Sequence, residues 1–139
     1  MPHQFVRQRT DAANVVVSFR LLTKKRSEVT ANWQRFLMDR ISALNEVLTQ
    51  SPNDAFARYG LAMEYSKQGD LDRALAEFSI LLEHHPDYTA GYFMAAQTLA
   101  KAERSADARK MLEDGIVSAR RTGNLHAQSE MEAMLQELG

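Results

Sequence analysis

Residues 61–86 read LAMEYSKQGDLDRALAEFSILLEHHP, and 34 positions further on residues 95–120 read AAQTLAKAERSADARKMLEDGIVSAR. Laid over one another, Leu61 meets Ala95, Ala62 meets Ala96, Tyr65 meets Leu99, Lys67 meets Lys101, Ala74 meets Ala108 and Phe78 meets Leu112. Pro52 and Pro86 stand at the same interval of 34. A fixed period of this length marks a stacked helical array, in which each pair of helices buries its apolar face against the next pair. Such an array is expected to present surfaces to other proteins, and the sequence names no particular partner.

Working outward, Leu61, Ala62 and Tyr65 fall on one face of a helix over 56–68, with Asn53 or Asp54 as its cap. Gly69 supplies a left-handed turn residue and Asp70 the next N-cap. Leu71, Ala74, Leu75, Phe78, Leu81 and Leu82 give a second helix over 71–84, closed by Pro86. The pattern returns with helices over 89–102 and 106–121, separated by Glu103-Arg104-Ser105, where Ser105 is the expected cap. Upstream, Trp33, Phe36, Leu37, Ile41, Leu44, Val47 and Leu48 recur at three- and four-residue steps and predict a leading helix over 33–51. Downstream, Thr122-Gly123-Asn124 stops and restarts the chain, and Ala127, Met131, Met134, Leu135 and Leu138 line a last helix over 124–138. The fold class is therefore all-α. Each helix is near the length at which it is marginal alone, so stability must come from packing. Small residues set the approach within each hairpin, Ala62 against Ala74 and Ala96 against Ala108.

The chain has 139 residues, net charge −1 and no cysteine. That balance points to neither nucleic acid nor an anionic membrane, and the missing thiols exclude disulfides, thiolate catalysis and zinc–thiolate sites. No apolar run approaches the roughly 18 residues of a membrane helix. A cytoplasmic location fits. Charge is uneven, however. Residues 1–32 hold Arg7, Arg9, Arg20, Lys24, Lys25 and Arg26 against Asp11 and Glu28, whereas 33–139 are net acidic. Residues 1–32 are expected as a basic tail, disordered or loosely attached, ahead of a domain over 33–139. Val15-Val16-Val17-Ser18-Phe19 is β-prone but has no partner strand in sight. A secretory signal fits poorly, an Arg-rich transit peptide stays open, and Met38 offers an alternative start of the natural product.

Leu61-Ala62, Tyr65, Ala74, Phe78 and Pro86, with Lys67-Gln68-Gly69-Asp70 at the turn, resemble the tetratricopeptide repeat family. The copy Tyr92, Ala95-Ala96, Leu99, Ala108, Leu112 is weaker but in register, and Leu44, Val47 and Pro52 resemble the second half of a preceding repeat. The resemblance covers roughly 38–122 and implies helical hairpins stacked as a right-handed α-α superhelix, with repeats at 53–86 and 87–121. Departures are Arg58 where an aromatic is usual, Glu103 for the turn glycine and Arg120 for the closing proline. In the last helix a strict 34-residue step puts Glu130 at the small-residue position, so a slip of one or two residues is needed.

His84-His85 is the one histidine pair, and neighbouring helical residues point about 100° apart, which suits a polar helix end better than a metal site. Asp70 with Asp72, and Glu113 with Asp114, read as caps and solvated surface. No nucleophile triad, phosphate loop or apolar carboxylate pair is visible, so no catalytic residue, metal or cofactor is expected. By resemblance, Phe56, Tyr59, Met63 and Lys67 on one helix, and Phe93, Gln97 and Lys101 on the next, line a concave groove for a partner's helix or apolar peptide. The same side chains read equally as packing between adjacent helices. The expected function is a non-enzymatic protein-binding adaptor. The alternative is self-assembly, a homodimer through the Met131/Met134/Leu135/Leu138 stripe or the Trp33 helix.

Overall fold

Ala62, Ala74, Ala96 and Ala108 are each 0% exposed, so the four small residues do let paired helices close on one another. The computed structural model describes the backbone of residues 12–139 and the side chains of 25–36 and 38–139. His3, Arg7 and Arg9 lie outside the described residues, as do the side chains of Arg20, Lys24 and Leu37. Among the described residues there are six helices and no strand: α1 Ala12–Gln50, α2 Ala55–Lys67, α3 Leu71–His84, α4 Thr89–Lys101, α5 Ser105–Thr122 and α6 Leu125–Glu137. The all-α reading is what the structure shows, with the hairpins α2/α3 and α4/α5 at the two repeats.

One boundary differs clearly. Helix α1 begins at Ala12, well before residue 33, and the β-prone run Val15–Phe19 is helical. Without a neighbouring strand, β-branched side chains cannot realise a strand preference, and the backbone groups are satisfied within the helix. The chain divides into two compact units, residues 1–38 and 39–139, so α1 belongs to both. In the first unit, Val29, Trp33 and Phe36 are 53%, 61% and 52% exposed. Trp33 and Phe36 meet edge to face, ring centres 6.0 Å apart.

In the second unit three apolar clusters follow the chain. Leu48 of α1 packs with Ala57 and Leu61 of α2, flanked by Ile41, Leu44 and Tyr65. Ala62, Ala74, Phe78, Leu81 and Ala95 join α2, α3 and α4, while Ala96, Leu112, Ile116, Ala119 and Met131 join α4, α5 and α6. Burying Phe78 or Leu112 contributes about 1.5–3 kcal/mol each. Gly115 marks the closest approach. A Cβ there would stand 2.6 Å from Tyr92 Cβ and 2.5 Å from Met131 Sδ.

Three helices end in the same turn. Asp70 N donates to Tyr65 O, Arg104 N to Leu99 O and Asn124 N to Ala119 O, at 3.0, 2.9 and 2.8 Å. The residue in the left-handed region is Gly69 (φ 80°), Glu103 (φ 60°) and Gly123 (φ 69°) in turn. Asp54, Asp70 and Asn124 cap α2, α3 and α6 by accepting from Ala57 N, Arg73 N and Ala127 N. Ser105 does not cap α5. Arg104 takes that position, 34 residues after Asp70, and Ser105 is the first helical residue. The departure at Arg58 is also explained. Its Nη2 donates to Pro52 O at 2.8 Å, and Tyr92, 34 residues on, donates its hydroxyl to Pro86 O at 2.8 Å. The arginine ties down the same turn that the aromatic ties down in the second repeat, and Glu77 neutralises it at 2.6 Å.

Candidate functional site

The first helices of the hairpins, α2 and α4, lie side by side, and α6 continues their row. Ser66 and Thr98 hydroxyls, 3.3 Å apart, link α2 to α4. Phe93 and Gln97 sit one turn apart on α4, while Glu130, Ala133, Met134 and Glu137 recur at three- and four-residue steps on α6. Helical periodicity puts each set on one face. Together they line a cleft of about 330 Å³. Phe93 and Met134 are half-buried there, Ala133, Glu130 and Glu137 are exposed, and no basic side chain lines it. His126 Nε2 lies 3.4 Å from Glu130 Oε1.

The expected residues on α2 are placed differently. Phe56 is 77% exposed. Tyr59 and Met63 pack against the Ala62–Phe78 cluster, and the Tyr59 ring lies 6.3 Å from Phe78 and 5.3 Å from Tyr88. Burial pushes the Tyr59 hydroxyl above its ordinary pKa. Burial does the same for Tyr88, with smaller contributions from Tyr59 and Asp54. Neither hydroxyl ionises near neutral pH, so this part of the face is uncharged. Lys67 Nζ stands 3.6 Å from Glu64 Oε1, which Arg40 Nη2 also approaches at 3.1 Å. The Glu64 side chain is 1% exposed. Lys101 is exposed at the end of α4.

Of the expected set, therefore, Phe93 and Gln97 share one cleft, Tyr59 and Met63 are occupied with the core, and Lys67 is paired within its own helix. The sequence reading missed Glu130, Ala133 and Glu137, and took Met134 only as part of an end stripe. The slip of two residues at Gly123 was the available signal: the caps Asp54, Tyr88 and Asn124 stand 34 and then 36 apart, which puts Met131 at the place Ala95 holds on α4. Met131 is 0% exposed, and Met134, Leu135 and Leu138 pack against the Ala96–Leu112 cluster. Within the α6 stripe, then, Met131 is wholly engaged in the chain, and Met134, Leu135 and Leu138 are engaged in part. His84 Nδ1 and His85 Nε2 lie 3.0 and 2.7 Å from the carbonyls of Ile80 and Asn53, which accounts for both as helix-end contacts. Among the described residues no group of three or more His, Asp or Glu is placed to hold a metal, and no helix is long and apolar enough to cross a membrane.

A family model described as tetratricopeptide repeat matches residues 65–128. A repeat-containing protein of that kind from Pseudomonas aeruginosa is 31% identical over 98 residues, covering 70% of this chain and 93% of the relative. The solution structure of a tetratricopeptide repeat domain protein from Salinibacter ruber is 34% identical with a TM-score of 0.60, covering 63% of this chain and 88% of that one. The TPR2B domain of yeast Sti1, solved in a complex with pHsp70, is 18% identical with a TM-score of 0.69, covering 82% and 88%. At that identity the last likeness speaks for the fold alone.

Proposed function

The chain belongs to the tetratricopeptide repeat family, and we propose that it works as a non-enzymatic adaptor that receives an amphipathic helix or apolar peptide of another protein. The observation that carries this reading is the cleft between α4 and α6, which half-buried Phe93 and Met134 line together with exposed Ala133, Glu130 and Glu137. An amphipathic helix laid in such a groove buries its own apolar face, and an unbranched methionine adapts to its shape. On the inner face of α2, Tyr59 and Met63 are half-buried against the core, as Phe93 and Met134 are on α4 and α6.

The test is a titration of the full chain with amphipathic helical peptides followed by anisotropy. Met134→Glu is expected to weaken binding tenfold or more, a loss of about 1.4 kcal/mol, while Lys110→Glu on the opposite side of the hairpins leaves it unchanged. Circular dichroism confirms that both variants remain folded. Equal affinity for wild type and Met134→Glu would discard the cleft.

A further inference from the structure

The exposed stripe of α1 and the cleft on α4/α6 complement one another in three respects. The first is apolar content. Val29, Trp33 and Phe36 follow one helical face, together with Asn32 they line a shallow apolar depression, and more than half of each apolar side chain is open. The second is charge. Lys25 and Arg26 lie one turn before Val29, Arg35 lies beside Phe36, and all three are exposed. The cleft answers with Glu130 and Glu137 on its rim. The third is length. Val29 to Phe36 and Glu130 to Glu137 are each two helical turns, about 10 Å along the axis.

We propose that residues 25–36 of α1 dock in the α4/α6 cleft of a second copy of this chain, rim carboxylates against the basic residues and Trp33 over Phe93 and Met134. The inference deepens the reading of the cleft as a helix-receiving groove and rests on it. Each copy offers one stripe and one cleft, so a pair that makes both contacts reciprocally leaves neither open. A dimer of this kind holds its own groove occupied, so an outside helix competes with self-association. The Trp33 helix is then the alternative assembly surface, with the cleft as its counterpart.

The experiment is a charge exchange read by light scattering on the full chain. Wild type is expected at twice the mass of one chain, with emission of the single tryptophan, Trp33, shifting to the blue as concentration rises. Lys25→Glu with Arg26→Glu, or Glu130→Lys with Glu137→Lys, is expected to weaken association at least tenfold. Mixing the two charge-reversed proteins restores the dimer, since both contacts are then again between opposite charges. All these positions are exposed, and unchanged circular dichroism shows that each variant folds. A wild type that stays monomeric at its highest soluble concentration overturns the proposal. So does a dimer insensitive to either pair, or a mixture that fails to associate. The peptide titration reads the cleft without a second copy. A monomer that still binds peptides therefore discards this inference and keeps the adaptor reading.

Discussion

In the first repeat both helices start on an acidic cap, Asp54 for α2 and Asp70 for α3, and the turn between them uses Gly69 in the left-handed region. In the second repeat α4 starts at Tyr88 and α5 at Arg104, neither side chain capping its helix, and Glu103 occupies the left-handed position. Burial runs the other way. Helices α2 and α3 bury Ala57, Leu61, Ala62 and Glu64 with Ala74, Phe78 and Leu81. Helices α4 and α5 bury the equivalent positions, Gly91, Ala95, Ala96, Thr98, Ala108, Leu112 and Gly115, and add Thr89, Leu99, Ile116, Ser118 and Ala119. The second hairpin lies between α2/α3 and α6, and Thr89 and Ser118 share a buried hydrogen bond of 3.1 Å. Arg121 ties its last turn back to Asp87 and to Pro86 O, doing at the end of α5 some of the work of the absent proline. A unit packed on two sides can lose its turn chemistry and keep its shape. The first repeat, which packs on α1 through Leu48 and on α4, keeps its caps as well.

Two changes probe that contrast. Leu112→Ala empties the tightest part of the second repeat and is expected to lower stability by about 2–5 kcal/mol. Urea unfolding checks it, and a loss below that of capping variant Asp70→Ala, about 1 kcal/mol, would reverse the ranking. A smaller effect separates the turns. Glu103→Gly relieves a left-handed side-chain residue and is expected to raise the thermal midpoint, a gain of about 1 kcal/mol, whereas Gly69→Ala loses about the same. Equal effects of like sign would show that the two turns are not equivalent.

Much of this was legible in the residues. The four alanines at the 34-residue period, Gly69 with Asp70, and Gly123 with Asn124 announced hairpins and turns that the structure contains. The start of α5 at Arg104 was legible too, in the step of 34 from Asp70, but the serine beside it gave a stronger local signal. The early part of α1 was hidden because β-prone valines and clustered basic residues mask the helical pattern in the sequence. The site was half legible. Phe93 and Gln97 followed from the repeat register, but their counterparts on α6 depend on a two-residue slip that only packing decides, through Met131 entering the core under Gly115. Tyr59 and Phe93, 34 residues apart, are both half-buried against a core cluster, so here the register was a sound guide.

The central claim is that the open face lies between α4 and α6. Amide chemical shifts of the full chain, followed while a basic amphipathic helical peptide is added, test it most directly. The account predicts shifts concentrated at Phe93, Gln97, Glu130 and Met134. Shifts concentrated instead at Leu75, Ser79, Lys110 and Asp114, which line the cleft between α3 and α5 on the other side, would contradict it.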